Sequence, residues 1–202
     1  YLLKQLSTGA ETGNYVFAVG IASVVSLITQ SALTDWPRFF YALMRDNPPD
    51  RDAQISRRLL LFLGLHIGAI LLTRLVARVA YELFGAEEYL DGIACINYLI
   101  LGNYFFLLGN IFGTYLGYVK KTHLTFASFA IPGVVNILLN LWLIPEHGAI
   151  AAAMTTLIAF VCFAGVSYLY GARYYRLKGM GRVIIYSVLA SLAAFVPLGV
   201  GA

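Results

Sequence analysis

Read for hydrophobic and polar positions, the chain resolves into six long apolar stretches separated by short polar ones. A helix crosses the hydrocarbon core of a bilayer in about 20 apolar residues. Stretches of that order predict helices at 14–43, 59–80, 92–119, 123–143, 148–171 and 181–201. The longest connection, Met44–Arg58, contains the turn sequence Asn47-Pro48-Pro49-Asp50. No repeat, low-complexity tract or soluble domain interrupts the series. The expected fold is therefore an all-α integral membrane lobe of about six transmembrane helices.

Composition gives the same picture. Of 202 residues, 60% are hydrophobic and 12% charged, with a mean hydropathy of +0.77. A soluble domain carries about 25% charged residues, and a water-soluble fold would have nowhere to put the excess apolar surface. The net charge of +4 would suit nucleic acid in a soluble protein, but here the cations sit in alternate loops. Arg45, Arg51, Arg57 and Arg58 occupy the first, Lys120 and Lys121 the third, and Arg173, Arg176, Lys178 and Arg182 the fifth. The second loop is acidic, with Glu82, Glu87, Glu88 and Asp91, and the fourth contains Glu146. Cationic loops resist translocation, so loops 44–58, 119–122 and 172–182 are expected to be cytoplasmic and the N-terminus outside. An even helix count then leaves both ends on the outer side. That parity, with no initiator Met and an apolar final stretch, suggests a fragment of a longer chain, missing at least one earlier helix. Cys95 and Cys162 lie in apolar runs without metal or disulfide spacing and are expected to be buried thiols.

Polar groups inside such helices turn toward protein or water. At about 100° per residue, Ser23, Ser26, Gln30, Thr34 and Arg38 fall within an arc of about 120°. That stripe fits either a cavity wall or helix–helix hydrogen bonding with Arg38 snorkelling to the interface. Arg74 and Arg78 share a face toward the outer end of the second helix. Arg78 is expected to snorkel or to pair with Glu82, whereas Arg74, after only about fifteen apolar positions, is a candidate to face a solvated cavity. His66, at mid-helix, reads as a hydrogen-bonded packing residue rather than a proton carrier. Asn103, Asn110 and Thr114 align on the third helix, where Gly109, Gly113 and Gly117 form overlapping GxxxG motifs that permit close helix approach. On the fourth, Thr125, Ser128, Asn136 and Asn140 share a face interrupted by Pro132, with the asparagines expected to bond between helices. Asp35 is the one acid well inside a helix, and a local ion pair with Arg38 is expected. No zinc-protease motif, Gly-rich phosphate loop or paired intramembrane carboxylate is present. Neither a catalytic centre nor a metal or cofactor site is expected.

Several segments together resemble a family. Asn136-Ile-Leu-Leu-Asn140-Leu-Trp-Leu-Ile-Pro145-Glu-His-Gly148-Ala-Ile-Ala151 is similar to the signature in the C-terminal half of polysaccharide flippases: an Asn-rich helix, Leu-Ile-Pro, a short turn to Gly and an Ala-rich helix. Thr12-Gly13-Asn14-Tyr15 resembles the start of the family's eighth helix, Pro37 the proline near that helix's cytoplasmic end, and Leu83-Phe84-Gly85-Ala86-Glu87-Glu88-Tyr89 the turn before the tenth. The match runs in order from Thr12 to about Gly171. The resemblance implies a Wzx-type oligosaccharide flippase of the multidrug/oligosaccharidyl-lipid/polysaccharide, MATE-like superfamily. Such proteins have two six-helix lobes around a central cavity, and this chain would supply the C-terminal lobe, its partner being the missing N-terminal lobe of the same chain. The implied activity is flipping of an undecaprenyl-diphosphate-linked oligosaccharide across a bacterial inner membrane for O-antigen, capsule or exopolysaccharide synthesis. Arg38, Arg74 and Arg78 would contact the anion, and Ser23, Ser26, Gln30 and Thr34 would line the path. The alternatives are a MATE-type drug/cation antiporter, a membrane-embedded enzyme of polysaccharide assembly, and a packing subunit without transport activity.

Overall fold

A computed structural model describes residues 2–84, 90–176 and 178–195. They form α1 (Leu2–Leu6), α2 (Gly9–Asp46), α3 (Arg51–Phe84), α4 (Leu90–Tyr118), α5 (Thr122–Gly171) and α6 (Met180–Phe195), with no strand among them. The expected turn at Leu83–Tyr89 falls largely outside the described residues, as does the end of the sixth predicted helix, 196–201.

The helices begin and end for local reasons. Thr8 caps α2: its hydroxyl accepts from the Glu11 amide while the Glu11 carboxylate accepts from the Thr8 amide, satisfying two otherwise orphaned donors. The helix therefore starts five residues before the predicted Asn14, at a Thr-Gly-Ala-Glu sequence that is itself a legible start signal. At the other end Asn47 takes a left-handed conformation (φ 44°, ψ 50°) ahead of Pro48 and Pro49, which stops α2.

The fourth and fifth predicted helices form one run, α5, with a single non-helical residue, Gly148 (φ 54°, ψ −132°). Residues 144–147, expected as a loop, are helical, and the reversal is concentrated at Gly148 because only glycine adopts those angles without strain. The chain folds back there. The Thr155 hydroxyl donates to Oδ1 of Asn140 at 2.5 Å, and the rings of Phe129 and Phe163 stand 4.6 Å apart. Both contacts require antiparallel arms, 122–147 and 149–171.

α4 is the central helix and packs most extensively on α5. Gly109 and Gly171 permit this: a Cβ at Gly109 would overlap the Phe163 ring, and one at Gly171 would lie 2.5 Å from the Phe112 carbonyl oxygen. The GxxxG series thus brings α4 against the second arm of α5, while Gly117 lies against the Tyr41 hydroxyl of α2. α2 packs on α4 and α3 through Ala18, Ala22, Val25, Thr29, Ala32, Trp36 and Phe40, all buried at helical spacing, with Trp36 against Phe62 of α3 and Phe40 against Tyr115 of α4. α6 leans on α3 and α4 and scarcely touches α5.

Four runs are long and apolar enough to cross a membrane: 11–46, 51–79, 94–118 and 122–171. Their outward faces carry large apolar side chains, among them Leu65 at 57% exposed, Leu138 at 61% and Leu169 at 63%. A monomer in water rarely exposes such continuous apolar surface; hydrocarbon around the bundle accounts for it. The chain is a helical, multi-pass membrane protein.

Candidate functional site

The three basic connections meet at one end of the bundle. There the Asp52 carboxylate accepts from Nε of Arg51 at 3.1 Å, the Tyr175 hydroxyl at 3.0 Å and Nζ of Lys178 at 2.8 Å. This joins the α2–α3 turn to the α5–α6 connection. Rings extend the junction: Tyr115 stacks on Tyr175 at 5.3 Å, and Tyr41 meets Tyr118 at 5.7 Å. Tyr175 lies outside the membrane-spanning runs, and burial together with the neighbouring Asp52 pushes its hydroxyl up to about 12. Gly148, the Glu11 carboxylate, Gly92 and the backbone of Asn14 gather at the opposite end.

The candidate site is the outward face of α2. The packed face of this helix is buried, and Ser23, Gln30, Ser31, Thr34 and Arg38 point the other way, away from the described bundle. Leu27, 69% exposed, interrupts the upper part of the stripe, so the continuous polar stretch runs from Gln30 to Arg38, about 12 Å of helix. The Ser31 and Thr34 hydroxyls donate to the carbonyls of Leu27 and Gln30 at 3.0 and 2.9 Å, leaving oxygen lone pairs directed outward. The Gln30 amide and the Arg38 guanidinium have no side-chain partner among the described residues. Ser26 leaves the group: its hydroxyl donates to Oδ1 of Asn103 at 3.0 Å and ties α2 to α4.

Asp35 does not pair with Arg38. Its carboxylate accepts from Arg58 of α3 at 2.6 Å, and the Arg58 guanidinium lies 4.8 Å from the Phe39 ring centroid. Asp35 lies on the α3 flank of α2, whereas Arg38 lies on its outward face, so the neighbouring helix supplies the cation and frees Arg38.

The other predicted residues are not brought to this face. Arg74 is half-buried and donates to the Ala193 carbonyl of α6 at 2.6 Å. It is thus aimed at an element that α2 hardly contacts. Arg78 lies one turn further on, and its expected partner Glu82 has its side chain outside the described residues. His66 is fully buried against the Tyr104 ring at 5.8 Å, and the hydrogen bond expected of it is not found: neither ring nitrogen has a partner. The nearby Tyr104 hydroxyl is engaged with Ser187 at 3.2 Å rather than with the imidazole. Asn110 donates to its own helix at the Phe106 carbonyl. Asn140 donates to Asn136 at 3.0 Å and accepts from Thr155, so these asparagines fasten the two arms of α5. Cys95 is buried and Cys162 half-buried, and neither forms a disulfide. Among the described residues no group of three metal-ligating side chains occurs.

These features define a class, an all-α membrane bundle with one polar outward helix face and a basic end. No family model, curated protein or solved structure matches the chain.

Proposed function

We propose that this chain is one lobe of a transporter that flips a lipid-linked oligosaccharide across a membrane, with the outward face of α2 lining the path. The observation that carries the reading is the Gln30–Arg38 stretch, opposite the packed face of its own helix, where the outward faces of α3, α5 and α6 present mainly large apolar side chains. Polar groups and a guanidinium left facing hydrocarbon are costly, so they turn toward protein or water. Such a face calls for a wet partner surface, which a second lobe across a central cavity would provide.

Moving a diphosphate and a hydrated sugar through hydrocarbon requires cation to offset charge and hydroxyls and amides to replace water. Arg38 supplies the first, and Gln30, Ser31 and Thr34 the second. The alternation of basic loops supports a cytoplasmic position for the Arg38 end of α2, where the anionic head group would load. Arg74 acts as a clamp between α3 and α6 rather than as an anion ligand. An exchanger of drugs and cations would want a free carboxylate on the path, and Asp35 is engaged by Arg58.

Arg38→Ala and Gln30→Leu, introduced into the full-length protein in a strain lacking it, are expected to abolish or sharply reduce surface polysaccharide while protein abundance holds. Wild-type polysaccharide with both changes together would remove the proposed role.

A further inference from the structure

An open apolar groove of about 890 Å³ runs between α4, the second arm of α5 and α6. Its floor includes Phe105, Leu108 and Phe112; Val161, Ala164 and Gly165 form one wall and Val183, Ile184 and Val188 the other. It exists because α6 leans on α3 and stands off from α5. At the Phe195 end, the Phe195 ring meets Tyr98 at 5.2 Å. The hydroxyls within it are spoken for: Ser187 donates to the Val183 carbonyl at 2.9 Å, and Ser191 to the Ser187 carbonyl at 2.9 Å. Its lining therefore offers water few polar partners.

The end of the groove opposite Phe195 has the contrary character. The connection that joins its two walls, residues 172–179, carries Arg173, Arg176 and Lys178 and no acid, and Arg182 follows in the first turn of α6. Lys178 is held by Asp52, and the Arg173 guanidinium rests 5.5 Å from the Tyr170 ring centroid. Arg176 is exposed, and no ion pair engages it among the described residues.

We propose that this groove is a binding site for an anionic phospholipid, its acyl chains lying between α5 and α6 and its phosphate on the basic 172–179 connection. Charge complementarity selects the occupant. A neutral helix would leave the cations unanswered, whereas an anionic phospholipid satisfies both ends at once. The proposal needs the membrane setting alone and stands whether or not the chain is a flippase lobe.

The test is native mass spectrometry of the intact protein in detergent, titrated separately with phosphatidylglycerol and phosphatidylcholine. The wild type is expected to retain phosphatidylglycerol in preference. Arg173→Ala with Arg176→Ala should weaken phosphatidylglycerol binding by about fivefold per cation removed and leave phosphatidylcholine unchanged. Gly165→Leu should weaken retention of both lipids by narrowing the groove at one wall; a Cβ there meets nothing within 4 Å. Equal retention of the two lipids by the wild type, retention of neither, or unaltered retention by Gly165→Leu would each overturn the proposal.

Discussion

Replacing Gly148 by alanine should destabilise the bundle by about 2–4 kcal/mol, from two separable causes. The first is conformational: φ 54° and ψ −132° lie in a region L-residues rarely enter, and holding a side chain there costs about 1–3 kcal/mol. The second is steric. A Cβ at this position would overlap the Glu11 carboxylate, which is not free to move because it accepts from the Thr8 amide and closes the cap of α2. Displacing it forfeits a capping interaction of about 1 kcal/mol. Glu11→Ala alone should therefore cost about 1 kcal/mol. The double variant should be less destabilised than the sum of the singles by about that amount, since the cap is lost only once. Reversible unfolding in mixed micelles, followed by tryptophan fluorescence, reads all three variants; Trp142 lies six residues before the turn. A Gly148→Ala protein within about 0.5 kcal/mol of wild type, the range of an ordinary surface change, would refute the assignment of the reversal to this residue. Strict additivity with Glu11→Ala would refute the contact.

Two further outcomes follow from the basic end and the α2–α3 seam. The Asp35–Arg58 pair is half-exposed on both sides, so a double-mutant cycle with Asp35→Asn and Arg58→Gln should give a coupling of about 0.2–1 kcal/mol. Exchanging the two residues should recover part of it, and zero coupling would leave Asp35 available to Arg38 after all. Tyr175 has its hydroxyl raised to about 12 from an ordinary 10, so the folded state favours the protonated form. Its contribution is fully present below pH 10 and is lost as pH rises through 12. Alkaline unfolding should begin in that window and be blunted in Tyr175→Phe, with phenolate absorbance as the readout. An unchanged midpoint in the variant would disconnect the hydroxyl from stability.

The sequence by itself determined what depends on neighbours along the chain. Long apolar runs specify helices because an apolar solvent leaves the backbone no partner but itself, and the glycines of α4 permitted a close helix pair wherever that pair was made. Cap, stop and reversal at Thr8–Glu11, Asn47-Pro48-Pro49 and Gly148 are also local. The first is a capping sequence in its own right, and the last is narrower than the 144–147 loop expected there. What only the tertiary structure decided is which groups face one another. A periodic pattern shows that Ser23, Gln30, Thr34 and Arg38 share a side. It does not say that this side looks away from the bundle, that Ser26 turns to Asn103, or that Asp35 takes its cation from Arg58. The same holds for Arg74, whose partner is a carbonyl 119 residues away, and for His66, left without a hydrogen-bond partner by the residues around it. Helix formation is a short-range balance of backbone hydrogen bonds and apolar transfer, whereas the partner of a side chain is fixed by how separate helices settle against each other. The apolar groove beside α6 belongs wholly to that second kind of information, because its apolar lining residues do not differ in type from those that simply face lipid.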